Sequence, residues 1–235
     1  MTEITRAASL IGVFLLIIAR PAAAEPPCLR IGIDPGSLGA KATANVVKAL
    51  YDQAGLCVTI QEIPNRRIAI MIRAHELDGE GARIGDYIAG SPDLLPIPTP
   101  LIAVTGKLYW LKGRGRPEGS GHTIGFIRGY IWPPLVARTL DLGTTEVADQ
   151  KSLAKMAASG RLDGFFMTDR EFARLQSIDR EKFESAPVRD LTIFHSVTRD
   201  HAALVPRLDV ALRKLKADGT LEQLLYGPTS KEAHN

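Results

Sequence analysis

The chain has only two cysteines in 235 residues, and they do not stand at metal-ligand spacing with any histidine. Its five histidines, at 75, 122, 195, 201 and 234, are scattered. G-x-S-x-G, H-E-x-x-H and a cysteine–histidine nucleophile pattern are all missing, so no motif points to a catalytic centre, a metal or a cofactor. "GRGRPEGSGH" (113–122) starts like a phosphate-binding glycine loop. Glu118 stands where the third glycine belongs, which makes the stretch a solvated turn. A large excess of one charge is also lacking: 29 Lys and Arg face 26 Asp and Glu, for a formal charge of +3. A nucleic-acid binder needs a concentrated basic surface, and this balance argues against one.

There is one long apolar run, Leu10–Ala19, of ten residues. It is too short to span a bilayer as a helix, and Arg20-Pro21 and "AAA" follow it. A short apolar core with a small-residue ending is the secretory signal pattern, so residues 1–24 are expected to be removed. The remaining chain, about 210 residues, is long enough for one large or two small domains. It carries 27 basic and 25 acidic residues and no further membrane-length run, so it is expected to be soluble.

What is present is an alternation. "LRIGID" reads as a strand. "KATANVVKALYDQAG" reads as a helix, with Val46, Val47, Leu50 and Ala54 on one face, and "CVTIQEI" as a second strand. Ile68, Ile70 and Ile72 in "PNRRIAIMIRAHE" alternate as in a strand, yet Ile68, Met71, Ile72 and His75 make a helical stripe. A parallel neighbour needs a crossover there, which decides for helix. Strand "GEGAR", a short helix and a proline-punctuated extended stretch follow. The pattern then restarts at "TIGFIRG", through the short helix "YIWPPLVARTL" after a bend, strand "TTEVAD", a helix capped by Asp149, strand "GFFMT" and helix "DREFARLQSI". "APVRDLTIFHSVT" is extended, and an amphipathic helix carrying Val205, Leu208, Leu212 and Leu215 closes the chain. His195 and His201 fall near an expected lobe crossing, where packing or surface exposure explains them better than ligation.

Leu-Asp-Gly occurs twice between helix and strand, at 77–79 and 162–164. Each aspartate is expected to turn the chain, with its leucine tucked beneath. Cys28 and Cys57 each precede a strand. If those strands are parallel neighbours, a disulfide is geometrically possible.

Two longer stretches carry a resemblance. "IPNRRIAIMIRAHELDGEGARIGDYIAGSPDLLPIPTPLI" resembles the first lobe of bacterial periplasmic solute-binding proteins of the amino-acid-type ABC-transporter family, in a divergent branch with P-x-x-R and L-D-G-E. "HSVTRDHAALVPRLDVALRKLKADGTLEQLL" resembles that family's closing segment. The resemblance implies an α/β type II periplasmic-binding clamshell, each lobe a mixed, mainly parallel sheet flanked by helices. Residues 25–106 plus 195–235 would form the first lobe and 107–194 an inserted second one. It also implies a periplasmic, monomeric binder of a small carboxylate-bearing solute, neither an enzyme nor in need of a cofactor. The partner would be an ABC permease. The alternatives are a receptor subunit for a membrane sensor and a dehydratase-like enzyme on the same fold.

In open α/β sheets, ligands sit beyond the carboxyl ends of strands. That rule selects Asp34, Arg67, Arg83, Gly129, Tyr130, Thr168 and Asp169. Arginine suits a carboxylate because its planar fork donates two parallel hydrogen bonds, and the resemblance gives Arg67 and Arg83 that role. Gly129 would let backbone N–H groups approach an anion. Tyr130 or Trp132 would cover an apolar ligand surface. In amino-acid-binding relatives the acid after this strand meets the ligand ammonium, which would be Asp169. It lies six residues past Asp163 instead of five, and a one-residue slip turns a strand side chain to the other face, so Thr168 is the alternative. No aromatic stands near Asp34 to cover a ligand there.

Overall fold

The computed structural model describes residues 27–36, 39–176 and 178–227; the expected leader, 1–24, lies outside them. No described helix is long and apolar enough to cross a membrane.

Hydrophobic spacing accounts for the first elements. β1 (Leu29–Ile33) leads to α1 (Ala40–Gln53), which buries Val46, Val47, Leu50 and Tyr51, and then to β2 (Val58–Glu62). The ambiguous isoleucine stretch is helix α2 (Asn65–Arg73). Ile68 and Ile72, one turn apart, are buried, while Ile70 between them is 58% exposed, which a half-buried strand would not give. β3 (Gly79–Ile84), α3 (Gly85–Ala89) and β4 (Leu94–Pro96) follow. β5 (Ile102–Leu111) follows, ten residues long.

The second series runs β6 (Thr123–Ile127), α4 (Trp132–Thr139), β7 (Gly143–Val147), α5 (Gln150–Ala158), β8 (Gly164–Thr168) and α6 (Asp169–Arg174). Asp149 caps α5, its side chain accepting from the Ser152 N–H at 2.8 Å. α6 is shorter than the sequence suggests because Leu175 turns extended and buries itself in the core. β9 (Phe183–Thr198) spans 16 residues, before α7 (Val205–Ala217) and α8 (Thr220–Tyr226).

The strand order is β2-β1-β3-β9-β5-β8-β6-β7, with β4 added to β9. β1 runs parallel to β2 and β3, and β6 parallel to β7 and β8. The long strands β9 and β5 lie antiparallel between these trios, and their register breaks between Gly106 and Lys107. Each trio has its own cores. One side packs β1 against α1, α7 and α8 around Ile31, Leu50 and Leu212, with Ile68 and Leu77 on the opposite face. The other side packs Phe166 and Trp132 on one face and Phe165, Leu153 and Met167 on the other. Parallel pairing sets Leu29 opposite Val58, which brings the preceding Cys28 and Cys57 to a Cα separation of 4.5 Å in a disulfide.

The repeated Leu-Asp-Gly corner is one device used twice. The Asp78 N–H donates to the Arg30 carbonyl at 2.8 Å, and its carboxylate accepts from the Arg30 N–H at 2.8 Å. Asp163 makes the same exchange with Thr123, at 3.0 and 2.8 Å. Leu77 and Leu162 are buried and pass over Gly32 and Gly125, where a Cβ would meet their terminal methyl groups. A Cβ on Gly79 would strike the Ser196 carbonyl, and one on Gly164 the Tyr109 carbonyl, so each corner also seats its strand against a crossing strand.

Asp78 has additional partners. Its burial opposes ionisation, but the bonds from Arg30 and His201 outweigh this and hold its pKa at about 2. A carboxyl depressed in the fold adds stability that is present above its unfolded pKa and lost as pH falls towards the folded value. This contribution therefore disappears between about pH 4 and pH 2. Asp163→Asn is expected to cost about 1 kcal/mol, and Asp78→Asn about 1–3 kcal/mol with a flatter acid limb. Urea midpoints at pH 7 and pH 3 measure both. Equal costs for the two variants at both pH values would rule out the extra role of Asp78.

Candidate functional site

The carboxyl ends of β1 and β3 face those of β6 and β8 across a cavity of about 180 Å³. An ordered water needs roughly 10–15 Å³ of such space, so the cavity has room for on the order of ten waters or one amino-acid-sized solute. Asp34, Arg83, Gly129, Tyr130 and Thr168 all line it, contributed by both lobes.

Two of the expected residues lie elsewhere. Arg67 is exposed on α2 and does not line the cavity. α2 starts at Asn65, and Asn65 is the residue that faces the cavity; two positions further, the helix has turned Arg67 away. Asp169 is half-buried and directed to β5, where it accepts from the Thr105 N–H at 3.2 Å. Thr168 takes the cavity position at this corner.

The inner wall on the first lobe is a buried ion pair. Arg83 Nε donates to Glu80 Oε1, and the two side chains are 11% and 2% exposed. Residues three apart on a regular strand point to opposite faces. The register of β3 against β9 shifts between Glu80 and Arg83, and this bulge turns both side chains to the same side. The Arg83 guanidinium also lies 4.6 Å from the centre of the Tyr87 ring. Burial pushes the Glu80 carboxyl up; Arg83 opposes this, and Asp34 adds to it as a like charge.

The facing wall is a closed network around Glu171. Thr168 and Glu171 form a capping box at the start of α6. Glu171 Oε2 accepts from the Thr168 N–H at 3.1 Å and from its hydroxyl at 2.8 Å. Glu171 Oε1 accepts from the Tyr130 hydroxyl at 2.5 Å and from Gln150 at 2.7 Å. Burial, then the Glu171 carboxylate, pushes the Tyr130 phenol well above its ordinary range, so it remains a donor. Trp132 lies under the cavity against Gly106, and Ile102, Leu191 and Ile193 of the crossing strands complete an apolar floor.

The two lobes touch around the rim. Arg66 on α2 reaches Glu146 on β7 at 3.2 Å, and Arg128 reaches the same carboxylate at 3.3 Å. Gly129 lies against Asn65 with φ 87°, and a Cβ there would stand 3.3 Å from the Asn65 Cβ. Arg170 covers the Tyr226 ring, and Arg174 donates to the Leu225 carbonyl of α8. These contacts hold the lobes against each other with the cavity between them. Sequence reasoning missed Asn65, Glu80 and Glu171; only Glu171 was signalled, by T-D-R-E at 168–171.

No protein-family model matches the sequence, and no curated protein matches it. Solved structures do match. The periplasmic VFT2 domain of BvgS from Bordetella pertussis superposes with TM-score 0.68 at 18% identity, over 84% of this chain and 92% of that one. An ancestral arginine-binding protein bound to arginine gives 0.70 at 15%, over 86% and 100%. The GluR0 ligand-binding core from Nostoc punctiforme, in complex with L-glutamate, gives 0.70 at 14%, over 86% and 100%. The chain has the two-lobed type II periplasmic-binding fold. At these identities the likeness concerns the fold. The network around Glu80 and Glu171 is read from this chain's own residues.

Proposed function

We propose that the protein is a periplasmic binder of a small amino-acid-like or other carboxylate-bearing solute and performs no turnover. The observation that carries this reading is Arg83, 11% exposed, facing a cavity lined by both lobes. On this reading the described residues of 25–106 plus 195–235 belong to the first lobe and those of 107–194 to the second, a division supported by the register shift between Gly106 and Lys107. Arg83 meets the ligand carboxylate, Tyr87, Tyr130 and the apolar floor surround its body, and the Arg66–Glu146 bridge closes behind it. Water exclusion strengthens the Arg83 contact, and the closed outline is what a membrane partner reads.

Delivery to an ABC permease is the first role. The likeness to the BvgS periplasmic domain favours a second, occupancy reporting to a membrane sensor. Deleting the protein distinguishes them: loss of solute uptake in the deletion strain supports delivery, whereas loss of a transcriptional response with uptake intact supports sensing.

A thermal-shift panel of the L-amino acids and small organic acids tests the binding itself. A ligand at one hundred times its Kd adds about 2.7 kcal/mol, which for a chain of this size raises Tm by about 5–10 °C. Mass spectrometry of the freshly purified protein identifies any retained solute. If no compound in the panel shifts Tm and no small molecule copurifies, the reading fails.

A further inference from the structure

Among the acids that line the cavity, Glu80 alone is both deeply buried and incompletely satisfied. Its Oε1 is taken by Arg83, whereas Oε2 is buried with no hydrogen-bond partner among the described residues. A buried acceptor without a donor costs about 1–3 kcal/mol, more when it is charged, and such groups persist where a ligand completes them. The other acids are differently placed. Both oxygens of Glu171 are occupied by Tyr130, Gln150 and Thr168 of its own lobe. Asp169 is turned to the Thr105 N–H of β5, outside the cavity. Asp34, nearer the opening, accepts from the Gly36 N–H of its own turn at 3.1 Å.

The same pair leaves donors as well. Arg83 binds Glu80 through Nε, and its terminal nitrogens make no hydrogen bond among the described residues. The bulge in β3 thus sets a carboxylate acceptor beside guanidinium donors at one depth in the cavity. A partner that satisfies both presents an acceptor and a donor a short distance apart. A carboxylate with an adjacent ammonium does so, and it also relieves the like-charge effect of Asp34 on Glu80.

We propose that Glu80 is a ligand-binding residue whose Oε2 accepts from the ammonium of an α-amino acid while Arg83 takes its carboxylate. This rests on the solute-binding reading above and narrows it. The ammonium partner is supplied by the first lobe, at the bulge, and not by the acid after β8.

The test uses matched pairs: each L-amino acid against the same carbon skeleton without its 2-amino group, titrated calorimetrically into wild type and Glu80→Gln. The amide oxygen of the variant still accepts from Arg83, but an N–H₂ replaces the free acceptor. At least one amino acid is expected to bind wild type tenfold or more tightly than its skeleton acid, with the ratio falling to near one in Glu80→Gln. Equal binding of the two members by wild type, or a ratio that survives the substitution, overturns the Glu80 assignment while the solute-binding reading stands. If neither member of any pair binds, both fall. Should the amide variant not fold, Glu80→Asp withdraws the acceptor by one methylene and is read by the same ratio.

Discussion

Arg83→Ala is expected to lose about 3–5 kcal/mol of folding stability at pH 7, in addition to abolishing solute binding. Glu80 is 2% exposed, and Arg83 is the only hydrogen-bond partner of its carboxylate among the described residues. Truncating the guanidinium leaves a buried carboxylate uncompensated, a change that costs about that much in proteins generally. For a chain of this length the loss lowers Tm on the order of 10 °C. The variant should also acquire a characteristic pH response. Without Arg83, nothing opposes the burial that pushes the Glu80 carboxyl up, so the group takes a proton at a higher pH and sheds its charge. The deficit relative to wild type therefore shrinks as pH falls. The double variant Glu80→Met/Arg83→Met removes both charges and fills the space with apolar atoms, and it should recover most of the stability while still failing to bind. Guanidinium unfolding at pH 7.5 and pH 5.5 measures all three proteins. A double variant as unstable as the single one, or a deficit that does not change with pH, would show that the buried pair does not act as a unit.

That pair also marks where sequence reading stops. Fold legibility comes from local periodicity: Val46, Val47 and Leu50 on one helical face, the isoleucines of α2, and the Leu-Asp-Gly corners are all short-range patterns. The resemblance of two long stretches then supplied the two-lobed arrangement. Parallel pairing of β1 with β2 follows from the crossover helix, and it sets the two cysteines side by side. The site is legible only in part. The strand-end rule found Asp34, Arg83, Gly129, Tyr130 and Thr168, because each follows or closes a strand whose edge is visible in the sequence. Glu80 was hidden, since strand alternation puts it opposite Arg83 and only the tertiary register shift against β9 reverses that. Arg67 completes P-x-x-R and begins the crossover helix, yet Asn65 is the residue of that turn that lines the cavity, because two residues on a helix change the face. Glu171 is legible as the last residue of the capping-box pattern Thr168-Asp-Arg-Glu171, but it lies one turn into α6, beyond the strand end that the rule selects.

Acidification from pH 7 to pH 5 is expected to remove about 2 kcal/mol of stability through a single residue, His195. It sits on β9 directly behind the bulge and is fully buried. Its Nδ1 is 3.3 Å from the Gly81 carbonyl, which can only accept, so Nδ1 carries the proton. Nε2, 3.1 Å from the Tyr51 hydroxyl, then accepts from it. Both ring nitrogens are satisfied in the neutral form, and a second proton on Nε2 would face the same hydroxyl in a desolvated site. Burial accordingly depresses the His195 pKa to about 4, against small opposing effects of the Gly81 and Glu80 backbone. The unfolded histidine titrates near 6.5, so between pH 6.5 and pH 4 the unfolded chain binds a proton that the folded one refuses. Stability must fall with pH across that window, by about 3 kcal/mol once pH 4 is reached. The raised carboxyl of Glu80 works in the opposite direction above pH 4.5, so the histidine slope has to be isolated by substitution. His195→Gln supplies a donor and an acceptor without a titrating group. The difference between wild type and this variant, measured by urea unfolding from pH 7.5 to pH 4.5, should narrow steadily as pH decreases. A difference that stays constant over the range would mean that His195 takes up its proton in the folded protein, and the neutral hydrogen-bonded pair with Tyr51 would then be wrong.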